Sequence, residues 1–179
     1  RLILFRFDIE KEVVEGQNVG SGAAEFGMYI ATGLLIAGSV AGEGGGPDTA
    51  AAFFGMGLVL LVVFALFYQL TTSYDMHSEI EGKNTAVGIA LGGNLIAIGL
   101  VTFKAVFGDF DGWNEGVAAF ITFGVIGFAL LYVMRLLLDK MLLPTVSASK
   151  AIAVDRNLGV AFIESAVVIS SALILFIAI

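Results

Sequence analysis

Five long apolar runs constrain this chain more than any other feature of its 179 residues. Each run holds about 21–23 residues, and a helix of that length spans about 32–35 Å, enough to cross the hydrocarbon core of a bilayer. A strand of a membrane β-barrel would instead alternate polar and apolar residues, and these runs do not alternate. We therefore predict an all-α, multi-pass transmembrane helical bundle whose five spans are 19–41, 50–70, 85–106, 117–138 and 158–179.

Composition excludes several other classes of protein. Charged residues make up 14% of the chain, whereas a soluble domain holds about 25%. The chain has no Cys and a single His, His77, which argues against thiolate or His-rich metal sites. Its net charge of −7 argues against nucleic acid as a partner, because phosphate binding needs clustered Lys and Arg. With no motif typical of a hydrolase or metalloenzyme, we expect a non-enzymatic protein with no metal and no cofactor.

The basic residues are distributed unevenly among the segments between the spans. Seven of the nine precede span one, or lie between spans two and three or between spans four and five. Arg135, at the end of span four, lies on the same side, and only Lys104 falls on the other side. Because positively charged loops face the cytoplasm, we expect these three segments to be cytoplasmic and the C-terminus to lie outside. Trp113, the only Trp, and Arg135, in the last turn of span four, are expected at the membrane interfaces.

A short signature recurs directly before spans one, three and five, and it consists of an acidic residue followed by an Asn. The Asn residues lie 66 and 73 residues apart, and each is an expected N-cap of its span. We predict a single membrane domain over 1–179, built from parallel two-helix repeats at about 7–73, 74–146 and 147–179, the last one half a repeat. Residues 1–5 are expected to be the tail of a further, upstream helix. The signature residues are Glu15, Asn18, Glu81, Asn84, Asp155 and Asn157.

The middle of the chain also carries a family resemblance. Residues 81–93 read Glu-Gly-Lys-Asn-Thr-Ala-Val-Gly-Ile-Ala-Leu-Gly-Gly, and Arg-Leu-Leu-Leu at 135–138 and Pro144 follow. This arrangement resembles the YjfL-like family of bacterial inner-membrane proteins over about residues 50–179. The resemblance implies tandem two-helix repeats, a location in the bacterial inner membrane and no established activity. Residues 155–157 read Asp-Arg-Asn, which departs from the Glu-Gly pair that the family pattern leads us to expect.

Two acidic residues lie inside the spans. Glu25 and Glu164 each follow the Asn of their repeat by seven residues, which places them about 10 Å deeper than that Asn. A charged carboxylate at that depth costs several kcal/mol, so it must pair, face water or take up a proton. Three readings stay open. The protonated carboxyl groups hydrogen-bond between helices, or they are proton or cation acceptors of an ion site that also includes Asn94, or they reach the membrane surface from a shallow position by snorkelling.

Small residues mark the expected helix-packing faces of spans one and three, since they allow close approach of helix backbones. With the charged segments before the spans, they favour a structural or accessory subunit of a membrane assembly, surrounded by the lipid bilayer. We expect either a homo-oligomer or a subunit of a larger membrane complex. The alternative is a proton- or cation-translocating channel or transporter that uses Glu25 and Glu164. The packing residues are Gly20, Gly27, Gly88 and Gly92.

Overall fold

The computed structural model describes residues 10–137 and 147–178, although not the side chain of Arg135. The described part contains five long helices, two short α-helices and one short π-helical turn, and no strand. The long helices are α1 (Val19–Val40), α2 (Pro47–Thr71), α4 (Thr85–Val106), α5 (Trp113–Leu137) and α7 (Leu158–Ala178). The short elements are the π-helical turn (Glu10–Glu15), α3 (Met76–Glu81) and α6 (Ala148–Ala153).

All five long helices are long and apolar enough to cross a membrane, and the predicted all-α, multi-pass fold is confirmed. The predicted bounds of α1, α4 and α7 hold to within one residue, whereas α2 and α5 begin three and four residues earlier than expected. For α2 the cause is local. Pro47 is tolerated at the first helical position, where its missing N–H would have no helical partner. The Gly46 N–H donates to the hydroxyl of Thr49 at 2.8 Å and so closes the helix start.

The two ends of the bundle differ in their number of Lys and Arg residues. Helices α1, α4 and α7 begin at the end that also holds α3, α6, Lys83 and Arg156, and we call it the basic end. Helices α2 and α5 begin at the other, acidic end, where the loops before them meet. There the Glu43 N–H donates to an Asp109 carboxylate oxygen at 2.7 Å, and the Phe110 N–H donates to the Glu43 carbonyl at 2.8 Å.

Helix α4 is the centre of the structure. It packs most extensively against α1 on one face and against α7 on another, and α2 and α5 also contact it. In its most apolar stretch 72% of the residues are buried, compared with 11% for α5. Helix α4 is therefore the core of the described bundle, and α5 is a peripheral helix.

Glycines let α1 and α4 approach until their backbones touch. A Cβ atom on Gly27 would lie 2.5 Å from the Cα of Gly92, and one on Gly88 would lie 2.5 Å from the Cα of Gly20. No side chain larger than hydrogen fits at such distances without moving the neighbouring backbone. All four glycines selected from the sequence as packing residues lie in this contact.

Helix α7 meets α4 in the same register in which α4 meets α1. In both contacts the ninth residue after the Asn cap on one helix faces the eighth residue after the cap on the next: Gly27 faces Gly92, and Gly93 faces Ser165. The second contact also contains a hydrogen bond, from the Ser165 hydroxyl to the Ile89 carbonyl at 3.0 Å. One mode of packing thus joins α1, α4 and α7 into a row.

The close approach predicts the effect of adding volume. We expect Gly27→Val to lower stability by about 1–3 kcal/mol, because the new side chain meets the α4 backbone. Thermal unfolding in detergent measures the effect. Gly33→Val in the same helix is the matched control, since a Cβ atom there meets nothing within 4 Å. Equal unfolding midpoints for the two variants would contradict the backbone contact.

Candidate functional site

Glu164 belongs to a buried polar cluster that joins three helices. Its Oε1 atom accepts a hydrogen bond from the Tyr68 hydroxyl of α2 at 3.1 Å and one from Asn94 Nδ2 of α4 at 3.4 Å. Asn94 also donates to the Ala90 carbonyl at 2.9 Å. Hydrogen bonds between membrane helices are worth about 0.6–2 kcal/mol each. The cluster therefore stabilises the position of α7 against α2 and α4.

Glu25 has the equivalent position on α1, seven residues after its Asn cap, but it does not belong to this cluster. Its Oε1 atom is buried and accepts no hydrogen bond from any described residue. Helices α1 and α7 pack on different faces of α4. Of the three residues predicted for an ion site, the structure brings together Asn94 and Glu164 and leaves Glu25 in a separate environment.

Among the cavities that border the described helices, two have several polar residues in their lining. The larger has a volume of about 380 Å³ and lies at the acidic end, where Glu43, Phe53 and Asp109 are among its lining residues. The smaller, of about 40 Å³, lies between α2, α4 and α5 and is lined in part by Tyr68 and Asn94. Neither cavity is lined by Glu25 or Glu164.

The three signature Asn residues occupy the same local geometry. Each is followed by a long helix, and its side-chain oxygen accepts a backbone N–H three residues later, at 3.2, 3.4 and 3.2 Å for Asn18, Asn84 and Asn157. The residue before each Asn has a positive φ: 49° for Gln17, 58° for Lys83 and 50° for Arg156. Residues other than glycine adopt this left-handed backbone conformation at a free-energy cost of about 1–2 kcal/mol. Its recurrence at all three positions shows one shared type of junction.

Two of the three Asn side chains also bind the short helix of the following segment. Asn18 Nδ2 donates to the Ile80 carbonyl of α3 at 2.7 Å, and Asn84 Nδ2 donates to the Ala153 carbonyl of α6 at 3.0 Å. Both Asn residues are fully buried. Asn157, in contrast, is exposed, and no hydrogen bond joins its Nδ2 atom to the described residues.

The acidic partners of these junctions are not the residues selected from the sequence. Glu12 accepts from Asn18 Nδ2 at 3.0 Å, and Glu79 accepts from Asn84 Nδ2 at 2.9 Å. Glu15 and Glu81 lie closer to the Asn residues in sequence, but the left-handed residue before each Asn turns the chain back towards earlier positions. An acidic residue six positions before Asn18 and five positions before Asn84 was the signal that could have identified the true partners.

Helix α3 and its cap make further polar contacts at the basic end. Asp75 caps it, and a hydrogen bond donated by the Ser78 hydroxyl at 2.8 Å is the main reason that the pKa of Asp75 lies below its ordinary value. His77 Nε2 lies 3.2 Å from a carboxylate oxygen of Glu81. Within residues 10–137 and 147–178, no group of three or more His, Asp or Glu side chains is arranged to hold a metal ion.

The two residues predicted at the membrane interfaces lie at opposite ends of α5. Trp113 begins the helix at the acidic end and stacks on Phe53, with 6.3 Å between the ring centroids and 4° between the ring planes. Arg135 lies in the last turn, and its side chain is outside the described residues, as is the predicted helix tail at 1–5. The third signature's Asp155 lies at the basic end and is exposed.

Fold and site together define a multi-pass helical membrane protein with a buried carboxyl cluster. The model of the family described as Domain of Unknown Function (DUF350) matches residues 44–179, and the chain belongs to this family. A relative named UPF0719 transmembrane protein YshE, from Bacillus subtilis (strain 168), is 29% identical over 114 residues, which is 64% of this chain and 80% of the relative. No solved structure is significantly similar to the chain. The expected membrane family of unknown function is confirmed, and the narrower likeness to YjfL-like proteins stays a prediction.

The Glu164 cluster predicts a specific role for one hydroxyl group. Tyr68→Phe should lower the free energy of unfolding by about 0.5–1.5 kcal/mol, because it removes one donor to the buried carboxyl group. Tyr29→Phe is the matched control, since Tyr29 is 66% exposed. In a Glu164→Ala background the cost of Tyr68→Phe should shrink, and an undiminished cost in denaturant unfolding would refute the hydrogen bond.

The junctions predict unequal costs for equivalent substitutions. Asn84→Ala and Asn157→Ala each remove an N-cap worth about 1 kcal/mol. Asn84→Ala also removes the hydrogen bonds to α6 and Glu79, so its loss of stability should be larger by about 1–3 kcal/mol. Unfolding midpoints of the two variants measure the difference. Equal losses would mean that the buried amide contacts contribute nothing to stability.

Proposed function

We propose that this protein is a structural or accessory subunit of a bacterial inner-membrane assembly, with no catalytic activity of its own. The backbone contacts of α4 with α1 and α7 support this proposal, because packing at such distances leaves no room for water between these helices. The hydrogen-bonded state of Glu164 supports it too, since a carboxyl group that joins α2, α4 and α7 acts as a structural tie. A rigid frame of helices suits a scaffold.

We further infer that the chain consists of parallel tandem repeats, at about 7–73, 74–146 and 147–179. Three shared features support the duplication: an Asn cap, a left-handed residue before it and a common packing register. The proposed orientation rests on the Lys and Arg residues, because Lys83, Lys150 and Arg156 lie at the basic end and cytoplasmic loops carry an excess of Lys and Arg. The basic end is thus proposed to be cytoplasmic.

The open third junction is the observation that carries the assembly role. Asn18 and Asn84 each bind the backbone of the next short helix, whereas the equivalent amide of Asn157 is exposed and has no described backbone to bind. We propose that a short helix of another polypeptide binds the Asn157 amide at the basic end. In this proposal the helix comes from a second copy of the chain, which makes a homo-oligomer, or from another subunit of a larger complex.

The alternative function, a proton- or cation-translocating channel or transporter, has weaker support. It requires a water path that reaches Glu25 and Glu164. The two residues lie in separate environments on helices that contact different faces of α4. Transport measured in liposomes and reduced by both Glu25→Gln and Glu164→Gln would favour this alternative over the scaffold.

Site-specific photo-crosslinking tests the assembly role. A photoreactive amino acid at position 157, introduced in intact cells, should give one defined adduct, because Asn157 is exposed at the third junction, where the proposed partner binds. The mass of the adduct separates a second copy of the chain from a different subunit.

Position 114 is the matched control for that experiment. Asn114 is an exposed polar residue near the start of a long helix, at the acidic end instead of the basic end. It should give no such adduct. If position 157 also gives no adduct above the level of position 114, the third junction has no protein partner and the proposed assembly role fails.

A further inference from the structure

Glu25 combines deep burial with an absence of hydrogen-bond donors. The side chain is 6% exposed, and its Oε1 atom accepts no hydrogen bond from the described residues. Glu164, which is buried to the same degree, receives bonds from Tyr68 and Asn94. An ionised carboxylate buried without donors or a charged partner costs several kcal/mol, so Glu25 needs compensation that these residues do not provide.

Ser21 repeats this feature one helical turn nearer the basic end. It is 3% exposed, and its hydroxyl oxygen is likewise buried without a hydrogen-bond partner among the described residues. Residues four apart on a helix are neighbours, with Cβ atoms about 5–6 Å apart. One flank of α1 therefore holds two buried oxygen atoms, one of a carboxyl group and one of a hydroxyl group, and neither of them is satisfied.

The described basic side chains with known contacts are engaged elsewhere. The Lys83 ammonium group is exposed and donates to the Gly16 carbonyl at 2.8 Å. Lys104 lies near the acidic end, with its ammonium group 5.7 Å from the ring centre of Phe123. His77 is paired with Glu81 on α3. None of these three contacts neutralises Glu25.

We infer that Ser21 and Glu25 form a binding site for one monovalent metal cation such as Na⁺. Carboxylate and hydroxyl oxygens are hard ligands, which suit hard cations better than soft ones. A single positive charge leaves the site neutral, whereas a divalent cation would leave a net charge at membrane depth. The cation provides what both oxygens lack, because it binds oxygen lone pairs without needing a hydrogen-bond donor. The site is distinct from the Glu164 cluster and does not depend on the scaffold role.

Thermal unfolding of the purified full chain in lipid nanodiscs tests the site. At fixed pH and ionic strength, Na⁺ should raise the unfolding midpoint over that in N-methylglucamine chloride, by about 2–4 °C near saturation. K⁺ serves as the second metal cation. Glu25→Gln should abolish the shift, and Ser21→Ala should move it to higher Na⁺ concentration. Glu164→Gln, at the equivalent position on α7, is the matched control and should keep the shift.

Direct binding of radioactive ²²Na⁺ to the same samples provides a second readout. Wild-type protein and Glu164→Gln should bind it, and Ser21→Ala should bind it more weakly, so the test survives if Glu25→Gln fails to fold. The inference is overturned if midpoints are equal in all three salts, or if Glu25→Gln keeps the full shift. A midpoint that depends on pH but not on the cation also overturns it, in favour of a protonated Glu25.

Discussion

The backbone contact of α4 with its two neighbours is the interaction on which the rest of the structure depends. In a bilayer, moving apolar side chains from lipid into a helix contact gains little free energy, because lipid tails are equally apolar. Membrane helices therefore associate through close packing and hydrogen bonds. Gly27 and Gly92 allow that packing between α1 and α4, and Gly93 and Ser165 allow it between α4 and α7. Because both contacts share one register, they also fix the relative heights of the three Asn caps. The junctions at the basic end and the height of Glu164 beside Asn94 follow from that register.

The two intramembrane carboxyl groups show how packing gives equivalent positions different chemistry. Glu164 lies on α7, which follows α4 in the row of helices, and α4 supplies the amide of Asn94. Glu25 lies on α1, the first helix of the row in the described residues, and no described residue supplies an equivalent donor. The same residue at the same depth is therefore a structural tie in one contact and an unsatisfied acceptor in the other. Glu164 therefore supports the scaffold proposal, and Glu25 is the basis of the proposed cation site.

The features of this structure that could be predicted from the sequence are mostly those determined within one segment of the chain. The five spans follow from the length of apolar chain that a bilayer requires, and the Asn caps follow from the need of a helix start for an acceptor. The early start of α2 at Pro47 is the exception, since it depends on a local contact of Gly46 with Thr49 and was still not predicted. The pairing of Glu12 and Glu79 with the caps, and the separation of Glu25 from Asn94, depend on turns and helix faces that are fixed only when the helices pack.

The central claim is that α4 is the dry, tightly packed centre of a scaffold, and thiol accessibility tests it most directly. The chain has no Cys, so single Cys residues can be introduced at Ala90 and Ala97, both fully buried in α4, and at the exposed Glu43 and Lys83. A charged, membrane-impermeant thiol reagent, applied to membranes open on both sides, should label positions 43 and 83 and leave 90 and 97 unlabelled. Rapid labelling at 90 or 97 would reveal water along α4 and contradict the account.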